Sequence, residues 1–419
     1  MGHAPLHALV GEAGLLGLAF LVSEDRRGIP WRAVAAGIAL QWALALLLTR
    51  FPPAIDAVLA VNRAADAVQA ATLRGTGFVF GYLGGGALPF RPAHPGDGFI
   101  LAFQALPLVI VISALASLLF HWGVLQRIAA GFAFVLRRAM GISGALALGA
   151  AVHVFVGMIE APLLVRPYLA RMSRGELFAL MSCGMAGVAG TVMVIYAGFL
   201  RGLVAHPLGQ ILTASVVSTP AALAVAAVMV PFRRGADHAE ARLVHETRTG
   251  GALDAVVRGT LAGIPILAGI VAVLIVAVAL VALANDVLGL AGHWGGGPVT
   301  LQRLFAYPFR PVLWLIGVPW AETSAAAGLM ATKTVLNEFV AYRAMAGMGA
   351  GAFDPRTRVI LTYALCGFAN FGSLGILLGG LGAMVPERRG EVVALGFRSI
   401  LSGTLATCMS GAVAGWVVR

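Results

Sequence analysis

Apolar runs long enough to cross a lipid bilayer recur along the whole chain, and they strongly limit the folds that are open to it. A helix needs about 20 apolar residues to span about 30 Å of hydrocarbon. The runs are continuous rather than alternating, which excludes an outer-membrane β-barrel. Mean hydropathy is +0.91 and 11% of the residues are charged, whereas soluble domains have about 25%. The sequence therefore predicts an all-α polytopic membrane protein.

The pattern of runs and breaks predicts about eight transmembrane helices, two re-entrant hairpins in an inverted repeat, and interfacial amphipathic helices. We expect spanning segments at 98–120 and 301–318, and amphipathic helices at 52–73 and 122–140. The predicted parts are scaffold and interfacial helices (1–140), a first hairpin and unwound helix (141–208), scaffold helices with a polar loop at 232–255 (209–300), a second hairpin and unwound helix (301–391), and a last transmembrane helix (392–419).

The net charge of +11 would suggest a nucleic-acid partner in a soluble protein. Here the arginines lie mostly in short breaks between apolar runs, as in the pairs 137–138 and 233–234. This placement is typical of topology signals and lipid-headgroup contacts. Cys183, Cys366 and Cys408 have neither disulfide nor metal-ligand spacing, so we interpret them as packing residues.

The stretch 317–373 carries polar side chains within otherwise apolar sequence. A charged side chain at the bilayer centre costs roughly 2.5–3.5 kcal/mol on insertion scales, so such groups usually face a bundle interior or a cavity. This stretch is therefore the predicted binding site, and we expect Glu322 and Lys333 to form an ion pair that holds its shape. Its polar residues are Glu322, Lys333, Asn337, Glu338, Asn370 and Ser373.

Two segments of the chain match each other: 183–190 (CGMAGVAG) and 366–373 (CGFANFGS). Each follows a broken hairpin with a carboxylate, Glu160 in the first half and Glu338 in the second. We place the first hairpin tip at 157–160, where glycine, a carboxylate and a proline interrupt the helix. Paired broken helices in corresponding halves indicate a secondary transporter of a polar solute with its site near the bilayer midplane.

The motifs GVPWAE, KTVLNEFVAY, YALCGFANFGSLGI and GGLGAMVPERR make the chain resemble a concentrative nucleoside transporter of the short bacterial form. The resemblance covers nearly the whole length. It implies a homotrimer in the bacterial inner membrane that imports nucleosides, or a ribose-containing analogue, by alternating access and a cation gradient. It also implies that each protomer has a scaffold domain and a transport domain.

The same resemblance assigns the site residues. Glu338, Asn370 and Ser373 would bind the ribose hydroxyls, and Glu160 would be the second site carboxylate, beside the nucleobase. Met158 and Ile159 stand where the family usually has glutamine and threonine, so the base half of the site departs from the pattern. The predicted substrate-binding residues are Glu160, Met158, Ile159, Glu338, Asn337, Phe368, Asn370, Ser373 and Val192.

The family's sodium site is altered as well, because His153 and Gly187 replace residues with side-chain oxygens. Sodium prefers oxygen ligands, whereas histidine and glutamate can carry protons. We therefore favour H⁺ over Na⁺ as the coupling ion, with no firm metal site and no organic cofactor. The coupling candidates are His153, Val156, Gly187, Val188, Glu160 and Glu338, with backbone carbonyls as the groups offered by both valines.

Two alternatives stay open: a nucleoside-binding membrane sensor, and an uncoupled facilitator. An enzyme is disfavoured because the sequence has no HExxH, no GxSxG and no acidic metal cluster. The sequence also leaves open which nucleoside is carried and which side of the membrane the termini occupy.

Overall fold

The computed structural model describes residues 4–91, 98–232, 250–293 and 297–417. Within these ranges the chain forms α-helices and short connections, with one isolated β-bridge between His293 and Pro298 and no strand. Most of the predicted polar loop at 232–255 lies outside the described residues. The all-α class predicted from the sequence is confirmed.

The first eleven helices include three that have only four or five residues. They are α1 (Ala4–Leu21), α2 (Trp31–Arg50), α3 (Pro52–Phe80), α4 (Leu101–Gln104), α5 (Leu108–His121), α6 (Val124–Met140), α7 (Gly144–Val152), α8 (Glu160–Leu164), α9 (Arg166–Leu169), α10 (Arg174–Ala186) and α11 (Gly190–Phe199). The remaining helices are α12 (Pro207–Met229), α13 (Ala252–Gly289), α14 (Leu301–Leu315), α15 (Thr323–Val335), α16 (Glu338–Gly347), α17 (Pro355–Leu365), α18 (Phe371–Met384) and α19 (Arg389–Val417).

Six helical segments in the described ranges are long and apolar enough to cross a membrane, and two shorter apolar helices accompany them. The polytopic prediction is therefore confirmed. The six are Trp31–Arg50, Leu101–His121, Arg174–Phe199, Pro207–Met229, Ala252–Gly289 and Pro386–Val417, and the shorter two are Ala8–Leu21 and Phe371–Met384.

One of the predicted spans is matched by the structure and another is not. The segment at 98–120 is matched by Leu101–His121, although its helix is interrupted between α4 and α5, where Pro107 lacks the N–H group that a continuous helix would need. The segment at 301–318 forms α14, which has 15 residues and is too short to cross about 30 Å of hydrocarbon. Arg303 and Arg310 make α14 amphipathic, so its apolar residues form a packing face rather than a membrane span.

The core of the molecule is formed by α10, α12 and α19, which are buried on nearly all sides. Helices that are apolar all round belong in such a position. The long α13 is the opposite case, because it packs mainly on α5 and exposes an apolar surface. Leu261, Ile275 and Leu283 on this surface are 60%, 64% and 61% exposed. Lipid or another copy of the chain can cover such a face.

Charged residues tie three elements together at one end of the bundle. Arg174 at the start of α10 pairs with Glu24, which follows α1, at 2.9 Å, and with Glu391 of α19 at 3.7 Å. Arg398 also lies 3.3 Å from Glu24. The hydrogen bond from Arg174 holds the pKa of Glu24 below its usual range. These partly exposed pairs fix neighbouring helix ends and contribute little to stability individually.

Candidate functional site

Each half of the chain contains a hairpin in which a helix stops and a second begins at a carboxylate. In the first, α7 ends at Val152, residues 153–159 are irregular, and α8 begins at Glu160. In the second, α15 ends at Val335, residues 336–337 are irregular, and α16 begins at Glu338. The predicted break at 157–160 is therefore longer and starts earlier, directly after α7.

Each hairpin is followed by an interrupted helix. Residues 187–189 separate α10 from α11, and residues 366–370 separate α17 from α18. The two interruptions touch, since the backbone N–H of Phe368 donates to the carbonyl of Gly187 at 3.1 Å. Helix ends leave backbone groups without intrahelical partners. Each interruption therefore satisfies part of the other, and the helix ends are brought to one place.

Two asparagines cap the helices of the second half. The side chain of Asn337 accepts the N–H of Val340 at 3.0 Å, which caps α16. The Oδ1 atom of Asn370 accepts the N–H of Ser373 at 2.7 Å, which caps α18. Asparagine is among the preferred N-cap residues because its short side chain reaches these donors. Both residues thus have a structural role as well as a place in the site.

Glu338 is held by two side chains from other helices. The hydroxyl of Tyr196 donates to Oε1 at 2.7 Å, and Nδ2 of Asn370 donates to Oε2 at 2.9 Å. The carboxyl is almost fully buried, with Glu338 only 4% exposed. A buried carboxyl needs such partners, because an unsatisfied one carries a full desolvation penalty. The arrangement fixes the orientation of Glu338 toward the cavity.

Tyr196 was not among the predicted site residues. It lies in the apolar helix α11 and its ring packs against Phe339 and Tyr342, with centroids 6.1 Å and 5.1 Å away. A tyrosine in an apolar run usually finds a partner for its hydroxyl when buried. That rule predicts a hydrogen-bond partner for the hydroxyl of Tyr196, but the sequence gives no sign that the partner is Glu338.

The predicted ion pair between Glu322 and Lys333 is wrong. Glu322 immediately precedes helix α15, and Lys333 lies in the last turn of that helix. At 1.5 Å per residue, the two residues are about 16 Å apart along the helix axis. Lys333 is fully buried and donates to the carbonyl of Ala364 at 2.9 Å and to Oγ1 of Thr407 at 3.2 Å. Glu322 accepts the N–H of Asp354 at 3.1 Å.

A cavity of 1840 Å³ opens beside the interrupted helices, and Glu160 and Glu338 both line it. The structure thus brings the two predicted carboxylates to one space. Every predicted substrate-binding residue is on its wall: Met158, Ile159, Glu160, Val192, Asn337, Glu338, Phe368, Asn370 and Ser373.

The coupling candidates are divided. Val156, Glu160 and Glu338 line the cavity, whereas His153, Gly187 and Val188 do not. His153 is 4% exposed, and its Nε2 has no hydrogen-bond partner within the described residues. The Gly187 carbonyl already accepts the Phe368 N–H. The described ranges contain no cluster of three histidine, cysteine or acidic side chains that could hold a metal ion.

The outer part of the cavity lies between α5, α6 and α13, and it was not predicted from the sequence. Its wall includes the basic or polar residues His121, Gln126, Arg127 and Arg258. Nothing in the local sequence of these helices distinguishes them from ordinary interfacial residues. The cavity is therefore a space that runs from the helix breaks toward a polar rim.

Membrane-spanning helices, two pairs of broken helices and a buried polar cluster facing a cavity together define a polytopic membrane transporter. Comparisons with known proteins agree with this class. Residues 210–415 match the family described as Na+ dependent nucleoside transporter C-terminus, and residues 10–83 match its N-terminus. Residues 102–202 match a family described as Gate: nucleoside recognition.

Relatives of known sequence or structure are similar to this chain over its whole length. An uncharacterized transporter of Haemophilus influenzae is 37% identical over 98% of this chain and 97% of its own length. Sodium/nucleoside cotransporter 1 of Rattus norvegicus is 34% identical over 97% of this chain and 63% of its own. CNTnw, solved in an inward-facing substrate-bound state, has a TM-score of 0.87 at 36% identity, covering 99% of this chain and 98% of its own. The chain belongs to the concentrative nucleoside transporter family, and its relatives are transporters rather than enzymes.

Proposed function

We propose that this chain imports nucleosides, or a ribose-containing analogue, across the bacterial inner membrane by alternating access and a cation gradient. The observation that carries the proposal is the oriented carboxyl of Glu338, which two helices hold at the wall of a cavity. A neutral polyol needs acceptors and donors of this type. Relatives named as nucleoside cotransporters support the substrate class.

In the proposed pose the ribose hydroxyls contact Glu338, Asn370 and Ser373. Asn370 keeps a donor toward Glu338 and an acceptor toward its own helix, so its orientation is set before substrate arrives. Preorganised groups of this kind lower the cost of binding. Phe368 packs beside the sugar, Asn337 fixes the start of α16, and the base extends toward Met158, Ile159, Val192 and Glu160.

We also propose how the parts of the chain are arranged in the membrane. The two hairpins enter the bilayer and return, and with the interrupted helices (141–208 and 301–391) they form the transport domain. The parts 1–140 and 209–300 form the scaffold, and 392–419 is the last spanning helix. A homotrimer is supported by the exposed apolar surface of α13, whose length and exposure suit burial against another copy or lipid.

Protons are the favoured coupling ion. The imidazole of His153 and the side-chain-free Gly187 offer a hard cation few oxygen ligands, which are the ligands sodium prefers. The carbonyls of Val156 and Val188 accept no backbone hydrogen bond in the described ranges. They support the sodium alternative, which the family name also favours. Glu160 and Glu338 are the groups that can carry a proton beside the substrate.

Uptake into proteoliposomes tests the proposal. Purified protein is reconstituted, and labelled uridine and adenosine are followed under an imposed H⁺ gradient, an imposed Na⁺ gradient, or neither. We expect accumulation above the external concentration with the H⁺ gradient. Loss of accumulation in Glu338→Gln, but not in Glu387→Gln at an exposed site, would support the role of Glu338.

The same assay separates the alternatives. Equilibration without accumulation indicates an uncoupled facilitator, and nucleoside binding without flux indicates a sensor. Accumulation under the Na⁺ gradient alone would overturn proton coupling. Absence of gradient-driven accumulation of both nucleosides, with wild-type uptake equal to that of Glu338→Gln, would overturn the transport proposal.

A further inference from the structure

The side chain of Ile159, at the tip of the first hairpin, lies against a glycine of α18. A methyl group built at Gly380 would overlap Cδ1 of Ile159 and lie 3.2 Å from its Cγ1. The neighbouring Gly379 has open space around it. Gly380 therefore forms a recess that Ile159 fills, whereas Gly379 does not.

The distance from this contact to the polar residues around Glu338 can be estimated along two helices. On α18, Gly380 is seven residues beyond Ser373, which corresponds to two turns, about 10 Å and the same helix face. On α11, the N–H of Gly190 donates to the carbonyl of Phe155 beside the first hairpin tip. Tyr196, which binds Glu338, follows six residues later, or about 9 Å. Both distances are comparable with the long axis of a nucleoside.

The far end of this space has a largely apolar wall. Met158 and Val192 are buried, at 6% and 7% exposure, and they line the cavity together with Ile159. Glu160 and Thr191 are the polar side chains nearby on the same wall. Most of the side chains that a base would contact there therefore lack hydrogen-bonding atoms.

We propose that Gly380 is a specificity-determining residue, because it seats Ile159 and thereby leaves an open, apolar space in which the nucleobase is selected by shape. This inference rests on the proposed function, since it places the ribose at Glu338. The substrate class is then ribonucleosides whose bases fit the space, with little regard to the polar substituents on the base edge.

Shape selection and hydrogen-bond selection predict different ligand series. A site that reads a polar group loses affinity for an analogue without it, because its own buried partner is left unpaired. An apolar wall has no such partner to lose. Adenosine, inosine and purine riboside share one ring shape and differ in the substituent at position 6 of the purine.

The first measurement is calorimetric binding of these three nucleosides to the purified wild-type chain in detergent, which needs no ion gradient. We expect dissociation constants within about threefold of one another, since apolar contacts discriminate weakly among equal shapes. Purine riboside binding more than about tenfold more weakly than both others would overturn the proposal, because it would show that the base edge is read.

The second measurement uses substitutions at the recess. Gly380→Ala is expected to displace Ile159 into the space for the base and to weaken purine nucleosides by about tenfold, because the displaced side chain narrows that space. Gly379→Ala is the matched control and should bind like wild type. In Gly380→Ala with Ile159→Ala, the shortened side chain removes the overlap and affinity should recover. Thermal unfolding of each variant establishes that it is folded.

The outcomes separate this inference from the proposed function. Equal binding by folded Gly380→Ala and Gly379→Ala, or no recovery in the double variant, overturns the role of Gly380 even if wild type accumulates nucleosides. Binding that follows the predicted series without accumulation leaves Gly380 in place and overturns concentrative transport. A wild-type chain that binds none of the three nucleosides overturns both.

Discussion

The two halves of the chain break their helices in similar places but hold the broken ends differently. In the second half, Asn337 and Asn370 cap α16 and α18 with their side chains. In the first half, the residues that precede α8 and α11 are Ile159 and Ala189, and neither makes a side-chain cap with any described residue. The second half therefore supplies fixed polar side chains, and the first supplies backbone groups and apolar surface.

This difference explains why the two carboxylates have different surroundings. Glu338 is buried between Tyr196 and Asn370, whereas Glu160 is exposed on the cavity wall. A group that is already oriented and desolvated loses less on binding a ligand than a mobile, hydrated one. We therefore expect the second half to dominate affinity, and the first half to govern selectivity and coupling.

The largest expected effect is that of Glu338→Gln. The amide cannot accept from both Tyr196 and Asn370, and it presents a donor where the ribose needs an acceptor. We expect kcat/KM for uridine uptake to fall at least about 100-fold, which corresponds to about 2.7 kcal/mol. Glu160→Gln should cost less in the same assay. Equal losses in the two variants would contradict the proposed division between the halves.

Tyr196→Phe should have the next largest effect. It removes one donor from the Glu338 carboxyl and keeps the ring packing against Phe339 and Tyr342. Leaving a buried carboxyl oxygen unpaired costs about 1–3 kcal/mol, so nucleoside binding should weaken about 5- to 150-fold. Calorimetric titration measures this loss, with Tyr82→Phe at an exposed position as the control. Wild-type affinity in Tyr196→Phe would show that the orientation of Glu338 does not depend on this hydroxyl.

A pair of substitutions in the first half tests coupling. His153→Asn with Gly187→Ser introduces side-chain oxygens into the proposed coupling site, which also includes the carbonyls of Val156 and Val188. Because sodium prefers oxygen ligands, uptake by the double variant should rise with external Na⁺ at constant pH, unlike that of wild type. His206→Asn is a suitable control, since His206 is exposed and has a positive φ of 49° that asparagine tolerates. Strong sodium stimulation of the wild type would remove the contrast.

The smallest effects concern the caps themselves. Asn337→Ala should destabilise the protein by about 1 kcal/mol because α16 loses its cap. Ala189 has extended backbone angles of −66° and 141°, which suit a cap, so Ala189→Ser should stabilise α11 by up to about 1 kcal/mol. Thermal unfolding in detergent should show shifts of opposite sign. Shifts in the same direction would mean that the two breaks do not differ in capping.

Much of the site could be predicted from the sequence because its polar residues stand out against apolar surroundings. Placing polar residues such as Glu338, Asn370 and Ser373 inside a membrane costs free energy, and this cost can be recognised from the sequence alone. The apolar runs were a less reliable guide to which helices span the membrane. The apolar letters of α14 resemble a span, yet its length and its two arginines make it an amphipathic helix instead.

By itself the sequence determined the membrane class, the positions of the breaks and the carboxylates, because hydropathy and helix breakers act locally along the chain. Only the tertiary structure decided which groups meet. Tyr196 reaches Glu338 from 142 residues away, and Lys333 binds Thr407 rather than Glu322. Ile159 likewise fills a recess at Gly380. Such contacts depend on helices packing side by side, and packing is set by the shapes of whole surfaces rather than by any local pattern.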